Sequence, residues 1–285
     1  MNEKPPYRKW VGVLLGFLLH GSAHFLSGRR AAGLKWYFGL FACGVVAVAL
    51  VATPGTVPFF IGVAVGLACL ALWVVMLKQS YRPVRRIGFL GWLAVIVLAV
   101  VLNNGLSLLV RQFVHPFTVP TGAMAPTVQS GDYLFVERVS TALGEPERGD
   151  IIVFNTDGIP SLPASTFYIK RVAGLPGDRV RIDPPNLIVN DQVVAAPPIF
   201  ARISAAEPPF DGFTLAYGGA PVGALLTKPT DEIVLGQDEF LVLGDNTRNS
   251  RDSRYWGPVP RENIVGKATR IYWPLSRIGQ SLGSE

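Results

Sequence analysis

Three uncharged apolar runs follow one another early in the chain: Trp36 to Thr53, Phe59 to Leu77 and Ile87 to Val110. The second and third hold 19 and 24 residues without a charge. About 20 apolar residues cross the hydrocarbon core of a bilayer, and three such runs in succession are rare in soluble folds. The sequence therefore predicts transmembrane helices at about 36–53, 59–77 and 87–110. Trp36 and Tyr37 open the first run with the aromatic pair expected at headgroup level. A shorter apolar stretch, Trp10 to Leu26, carries His20, Ser22 and His24. Arg8 and Lys9 precede it, and Arg29, Arg30 and Lys35 follow it. No small-residue cleavage site follows, as a secretory leader requires. Basic flanks at both ends suit an interfacial or re-entrant segment better than a crossing, so residues 10–27 are read as interfacial or spanning.

The net charge of +6 hides a division. Up to Arg111 there are 11 Lys and Arg and one acid, Glu3; from Gln112 onward there are 15 Lys and Arg and 19 Asp and Glu. The basic part is the apolar part, so its charges flank hydrophobic runs. That suits a membrane protein and argues against nucleic acid as a partner. Lys78, Arg82, Arg85 and Arg86 lie between the second and third runs, whereas the loop Pro54 to Pro58 carries no charge. The positive-inside rule places the basic loop in the cytoplasm. Residues 1–111 then form a multi-pass anchor in the inner (cytoplasmic) membrane. Residues 112–285 form a domain on its outer or periplasmic side.

That second part reads as mostly β. Tyr133–Val139, Asp150–Phe154, Phe167–Val172, Arg179–Ile182, Leu187–Val194, Glu239–Leu243 and Ala268–Trp273 are short runs rich in Val, Ile and aromatics, punctuated by Gly, Pro, Asn and Asp. No helix-period segment of useful length interrupts them. Residues 195–238 are proline-rich, without alternation, and read as an insertion. Cys43 and Cys69 fall in the apolar part, and His115 is the one histidine beyond residue 111. A thiol nucleophile, a disulfide and a Cys/His metal cluster are thereby excluded from the β domain. No phosphate loop, dinucleotide fingerprint or calcium loop is present, so no metal and no cofactor is expected.

Lys170 is set within a strand-like run, Phe167-Tyr-Ile-Lys-Arg-Val172. Successive strand side chains face opposite ways, so Lys170 and Arg171 cannot share a face and one of them can point inward. A buried lysine loses proton affinity, and a neutral amine is a usable general base near pH 7.

Three clusters surround this residue in sequence: Phe117-Thr-Val-Pro-Thr-Gly-Ala-Met-Ala-Pro-Thr-Val128; Arg148-Gly-Asp with Tyr168-Ile-Lys-Arg-Val-Ala-Gly-Leu-Pro-Gly-Asp178; and Gly244-Asp-Asn-Thr-Arg-Asn-Ser-Arg-Asp-Ser-Arg254. Together, over residues 115 to 275, they resemble the type I signal peptidases, membrane-bound serine endopeptidases with a Ser-Lys dyad. The resemblance implies a mostly β catalytic domain, and signal peptides of exported preproteins and the lipid bilayer as partners. It maps the general base to Lys170, an oxyanion hydroxyl to Thr121 and the serine that orients the lysine to Ser250. A structural ion pair maps to Asp252 and Arg254. Pockets for small residues before the cut map to Phe117, Val119, Met124, Val128, Tyr168 and Ile169.

The nucleophile position maps to Ala123, which has no Oγ to attack a carbonyl. The resemblance thus implies a serine endopeptidase that is inactive as written. The alternative is a non-catalytic pseudoprotease that binds signal peptides or regulates an active paralogue. An introduced substitution at 123 and a relocated nucleophile are further readings. The family usually has one or two N-terminal spans, so the longer apolar part here is a departure.

Overall fold

The computed structural model describes residues 7–53, 56–137, 144–217 and 224–282. The chain divides into two compact units, one of Met1–Thr53 and Val57–Gln112, the other of Phe113–Glu285 with Pro54–Thr56.

The first unit is helical: α1 (Lys9–Leu18), α2 (Ser22–Leu26), α3 (Arg30–Ala52), α4 (Thr56–Gln79) and α5 (Phe89–Phe113). At 1.5 Å per residue, the 23 residues of α3 reach roughly 34 Å. Helices α3 and α4 are long and apolar enough to cross a membrane; the apolar part of α5, Phe89–Gly105, is shorter. The stretch 10–27 is not one helix. It breaks at Leu19–Gly21, where Gly21 takes φ 80°. Its α1 has only 10 residues, too few to cross. Lys9 lies 5.8 Å over the Tyr81 ring and the Arg85 N–H donates to the Leu26 carbonyl. Both ends of the α1–α2 hairpin therefore return to the loop after α4. The two thiols face the neighbouring helix: Cys43 Sγ donates to the Val65 carbonyl and Cys69 Sγ to the Leu40 carbonyl. Asn104 spends its amide on its own helix, donating to the Val100 carbonyl.

The second unit is built on two antiparallel sheets. The larger has the strand order β1 (Val114–Thr118), β2 (Tyr133–Glu137), β11 (Ile264–Trp273), β3 (Ile151–Asn155), β4 (Phe167–Gly174), β9 (Glu239–Leu243) and β10 (Val259–Pro260). The smaller runs β7 (Gln192–Val193), β6 (Asn186–Val189), β5 (Arg179–Asp183) and β8 (Ile233–Val234). Residues 138 and 139, expected to extend β2, lie outside the described residues. The run Leu187–Val194 is not one strand. Asn190 and Asp191 take φ 53° and 65° and fold it into a two-residue hairpin between β6 and β7, the backbone that an Asn-Asp pair accepts at a primed turn. The proline-rich stretch 195–238 contains a helix after all, α6 (Pro198–Ser204), and supplies β8, which pairs with β5.

Strand β3 explains the centre of this unit. Its sequence Ile-Ile-Val-Phe is apolar on both faces, as in a strand covered on two sides. Ile151 and Val153 join the cluster of Val119, Met124, Leu134 and Ile271, while Ile152 and Phe154 join that of Val172, Val242 and Trp256. Its neighbour β4 is covered on both faces too. The expectation that one of Lys170 and Arg171 points inward is therefore corrected: both are buried, each 4% exposed.

Candidate active site

The segment carrying position 123 is a tight loop anchored at both ends. The Val119 N–H donates to the Asp132 carbonyl and the Gly131 N–H to the Val119 carbonyl. Arg277 braces it, pairing with Asp132 at 3.1 Å and donating to the Thr127 carbonyl. Met124 and Val128 are sealed in the core. Ala123 is half-buried, and Thr121 stays exposed with no hydrogen-bond partner among the described residues.

Lys170 stands opposite Ile152 on β3, on the face it shares with Tyr168 and Val172. On the other side, β4 pairs with β9 through Val172–Val242 and Arg171–Leu243, so the pairing ends one residue before Lys170 on β4 and one before Gly244 on β9. Gly244 is where the segments meet. A Cβ there would lie 2.1 Å from Ser250 Oγ and 2.5 Å from the Ala123 carbonyl oxygen. Only glycine allows that approach. The next residues clamp the loop: the Asn246 N–H donates to the Ala123 carbonyl at 3.2 Å, and its side-chain amide to the Gly122 carbonyl at 3.0 Å.

Two buried ion pairs hold this arrangement. Arg171 grips Asp245 with two bonds, 2.8 and 2.6 Å, and also donates to the Gly149 carbonyl. Thr127 completes the Asp245 shell at 2.5 Å. Asp252 and Arg254 are fully buried and paired at 2.7 Å. Arg254 continues to the carbonyls of Thr214, Thr247 and Ser250, and the second Asp252 oxygen accepts from the Gly244 N–H. Both charges of the pair are thus wrapped in further hydrogen bonds, the condition under which buried charges are tolerated.

Burial pushes the Lys170 ammonium from the ordinary lysine value down to about 8; Asp252 and Asp245 draw it back up, and Arg254 lowers it. Its Nζ donates to the Ile169 carbonyl at 3.0 Å. The resemblance implies that Ser250 orients Lys170; the structure instead has the amine on a carbonyl of its own strand, and Ser250 Oγ is buried without a hydrogen-bond partner among the described residues. Of the mapped pocket residues, Val119, Met124 and Val128 are enclosed in the core, while Phe117, Tyr168 and Ile169 remain partly exposed. Sequence reasoning assigned no role to Asn246, Arg171 or Asp245. The signal was present, since all three stand inside the quoted clusters, but which backbone each would hold was not readable.

The lysine shift has a consequence for stability. Below about pH 8 the amine is protonated in both folded and unfolded chains, and the fold bears the full burial cost. Between pH 8 and about 10.4 the folded amine is neutral while the unfolded one still binds its proton, so stability rises with pH. The gap corresponds to about 3 kcal/mol. Lys170→Met is expected to stabilise the chain at pH 7 by about that amount and to flatten the alkaline rise. Thermal unfolding of the full chain in detergent from pH 6 to 10 measures it; a variant that keeps the rise would contradict the assignment.

The model of the family described as signal peptidase, peptidase S26, matches residues 89–273. The chain belongs to the signal peptidase family. A probable signal peptidase I-2 of Synechocystis is 39% identical over 189 residues, which cover 64% of this chain and 72% of the relative. Signal peptidase I S of Bacillus subtilis is 32% identical over 202 residues, 70% of this chain and 97% of the relative. A signal peptidase I of known structure from Enterococcus faecalis is 26% identical, covers 43% of this chain and 96% of its own, and has a TM-score of 0.31. Helices α1 to α4 precede the signal peptidase match.

Proposed function

We propose that this chain is a membrane-embedded signal peptidase whose peptide-binding and proton-transfer groups are built but whose nucleophile is missing at Ala123. The observation that carries the reading is Lys170: a buried amine of lowered proton affinity, next to Arg171, whose strand partner Leu243 precedes the glycine that approaches the Ala123 carbonyl. With a hydroxyl at 123, Lys170 accepts its proton as Oγ attacks the scissile carbonyl. The backbone N–H of residue 123 and the Thr121 hydroxyl stabilise the oxyanion. The protonated lysine then passes that proton to the leaving amine as the C–N bond breaks, and water hydrolyses the acyl-enzyme ester. Ser250 turns toward the amine in this scheme. Asp252–Arg254 hold its loop.

An extended peptide has a place to bind. Strand β1 ends the larger sheet and pairs with β2 alone among the described strands. On β4, pairing to β9 begins only at Arg171, which leaves Phe167 to Lys170 open on that side. The two open edges approach one another where the rings of Phe117 and Phe167 meet at 5.5 Å. Main-chain pairing to such edges accepts varied sequences, while adjacent pockets select side chains. The apolar helices, basic on one side, support insertion in the inner membrane with the loop Lys78 to Arg86 in the cytoplasm and the β unit outside.

Cleavage by the Ala123→Ser variant is the direct test. A second reading, a non-catalytic binder of signal peptides, is favoured by one observation: the groove does not need Oγ. A signal peptide carrying a photoreactive residue is therefore expected to label 115–119 and 167–169 in the chain as written. Labelling confined to other segments, or none, would remove both readings of the groove.

A further inference from the structure

We propose that the helical unit holds an anionic diacyl phospholipid, with its phosphate against the cations around Arg30 and Arg85 and an acyl chain in the cavity between α2, α3 and α5. This rests on the membrane insertion proposed above and goes beyond it, since an inserted helix bundle needs no lipid of its own. Between Glu3 and Asp132 the sequence has no acidic residue. The structure draws its cations together from three separate segments. The Tyr7 N–H donates to the Val84 carbonyl, bringing Arg8 and Lys9 beside the loop of Arg82, Arg85 and Arg86. The Arg85 N–H donates to the Leu26 carbonyl, bringing that loop to the end of α2, three residues before Arg29 and four before Arg30. Among the described residues none of these cations has an acidic partner. An uncompensated cluster of this kind calls for an anion.

At the same end opens a cavity of about 420 Å³, within the size range of ligand sites. Phe25, Leu26, Leu34, Phe38, Val95 and Leu98 are among the residues that line it. Arg30 Cζ lies 5.8 Å over the Phe25 ring, so a cation stands at the Phe25 edge of the cavity. From Arg30 to Phe38, α3 climbs roughly 12 Å, which gives the cavity its length along the helix. Most of its lining is hydrocarbon; of the polar side chains there, His20, Ser22 and Tyr37, the Ser22 Oγ is spent on the Leu15 carbonyl. Charge at the edge and hydrocarbon within match an amphiphile with an anionic head. Basic pockets between transmembrane helices on the cytoplasmic side bind such headgroups.

The test uses the full chain reconstituted in vesicles of equal phosphatidylglycerol and phosphatidylcholine, then taken into mild detergent for native mass spectrometry. Alkaline carbonate extraction first reports insertion. An inserted chain is expected to retain about one phosphatidylglycerol and to prefer it more than tenfold. Each cation near an anionic headgroup is worth about a fivefold factor, so Arg30→Gln with Arg85→Gln should lower the preference at least tenfold. These two rim positions are outside the peptidase site. Leu98→Trp, which fills the cavity, should abolish retention of either lipid while insertion persists. Equal retention of both lipids by an inserted chain, or an unchanged preference in the rim variant, overturns the lipid site and leaves insertion standing. Release by carbonate overturns insertion, and the site with it.

Discussion

Replacing Ala123 with Ser is expected to give a Lys170-dependent endopeptidase, raising kcat/KM on a signal-peptide substrate by at least about 10⁴ over the chain as written. The size follows from serine proteases in general, where removing the nucleophile costs on the order of 10⁶ in kcat and the remaining oxyanion donors and binding contacts retain only a small rate. The loop that carries position 123 does not need to be rebuilt: the Asn246 bonds to the carbonyls of residues 122 and 123 are already present. The proposed base is also prepared. With its proton affinity lowered to about 8, roughly one Lys170 in ten is neutral at pH 7, against fewer than one in a thousand at the ordinary lysine value. The rate of the Ala123→Ser variant should accordingly rise with pH and level off above about 8. Ala123→Ser with Lys170→Met should return to the starting rate. Equal cutting by the chain as written would mean that another hydroxyl attacks, and a silent Ala123→Ser variant whose groove still captures peptide would favour the non-catalytic reading.

Arg254→Leu is expected to destabilise the β unit by about 3–5 kcal/mol, the cost of leaving a buried carboxylate without its partner. Asp252 is fully buried. Without the guanidinium it keeps only backbone donors, Gly244 N–H at 3.0 Å and the N–H of residue 254 at 3.4 Å. The carbonyls of Thr214, Thr247 and Ser250 lose their donor at the same time. For a unit of this size the loss lowers Tm by roughly 10 °C or more. Asp252→Leu combined with Arg254→Leu should recover part of it, because no charge is then left unpaired. Thermal unfolding of the full chain in detergent measures both. A single-variant loss below about 1 kcal/mol, or a double variant no better than the single, would show that the pair is not what holds the 244–254 loop. Added to Ala123→Ser, the single Arg254→Leu change should also abolish cleavage, since Ser250 and Asn246 stand on that loop.

Much of this architecture is legible in local pattern. Runs of uncharged apolar residues mark α3 and α4, and short Val- and Ile-rich runs mark β3, β4, β5 and β9 within a residue or two. The misses share a cause. Pattern reports what one segment prefers, not what covers it. Alternation along β4 offers one inward and one outward cation. The apolar faces of β3 and two core clusters bury both, and the second is tolerated because Asp245 lies 74 positions further on. Leu187 to Val194 has the composition of a strand, yet Asn190-Asp191 turns it back on itself. The prolines around 195–238 conceal a helix that starts at Pro198, a position where proline's missing N–H costs nothing.

The division into an apolar basic part and a mostly β acidic part, the family, and the absence of Oγ at position 123 are all readable before the chain is folded. They depend on composition, period and the order of residue types, which are local properties. What those residues do to one another is a property of the fold. Pairing between β4 and β9 ends at Arg171 and Leu243, the residues next to Lys170 and Gly244; the missing Cβ of Gly244 lets the Ala123 carbonyl and Ser250 approach; two buried ion pairs hold the loops in place. The backbone bonds that bring the segments of Arg8, Arg85 and Arg29 together belong to the same class. Proximity between residues tens of positions apart is set by packing and hydrogen-bond register, and the lowered proton affinity of Lys170 exists only because desolvation does.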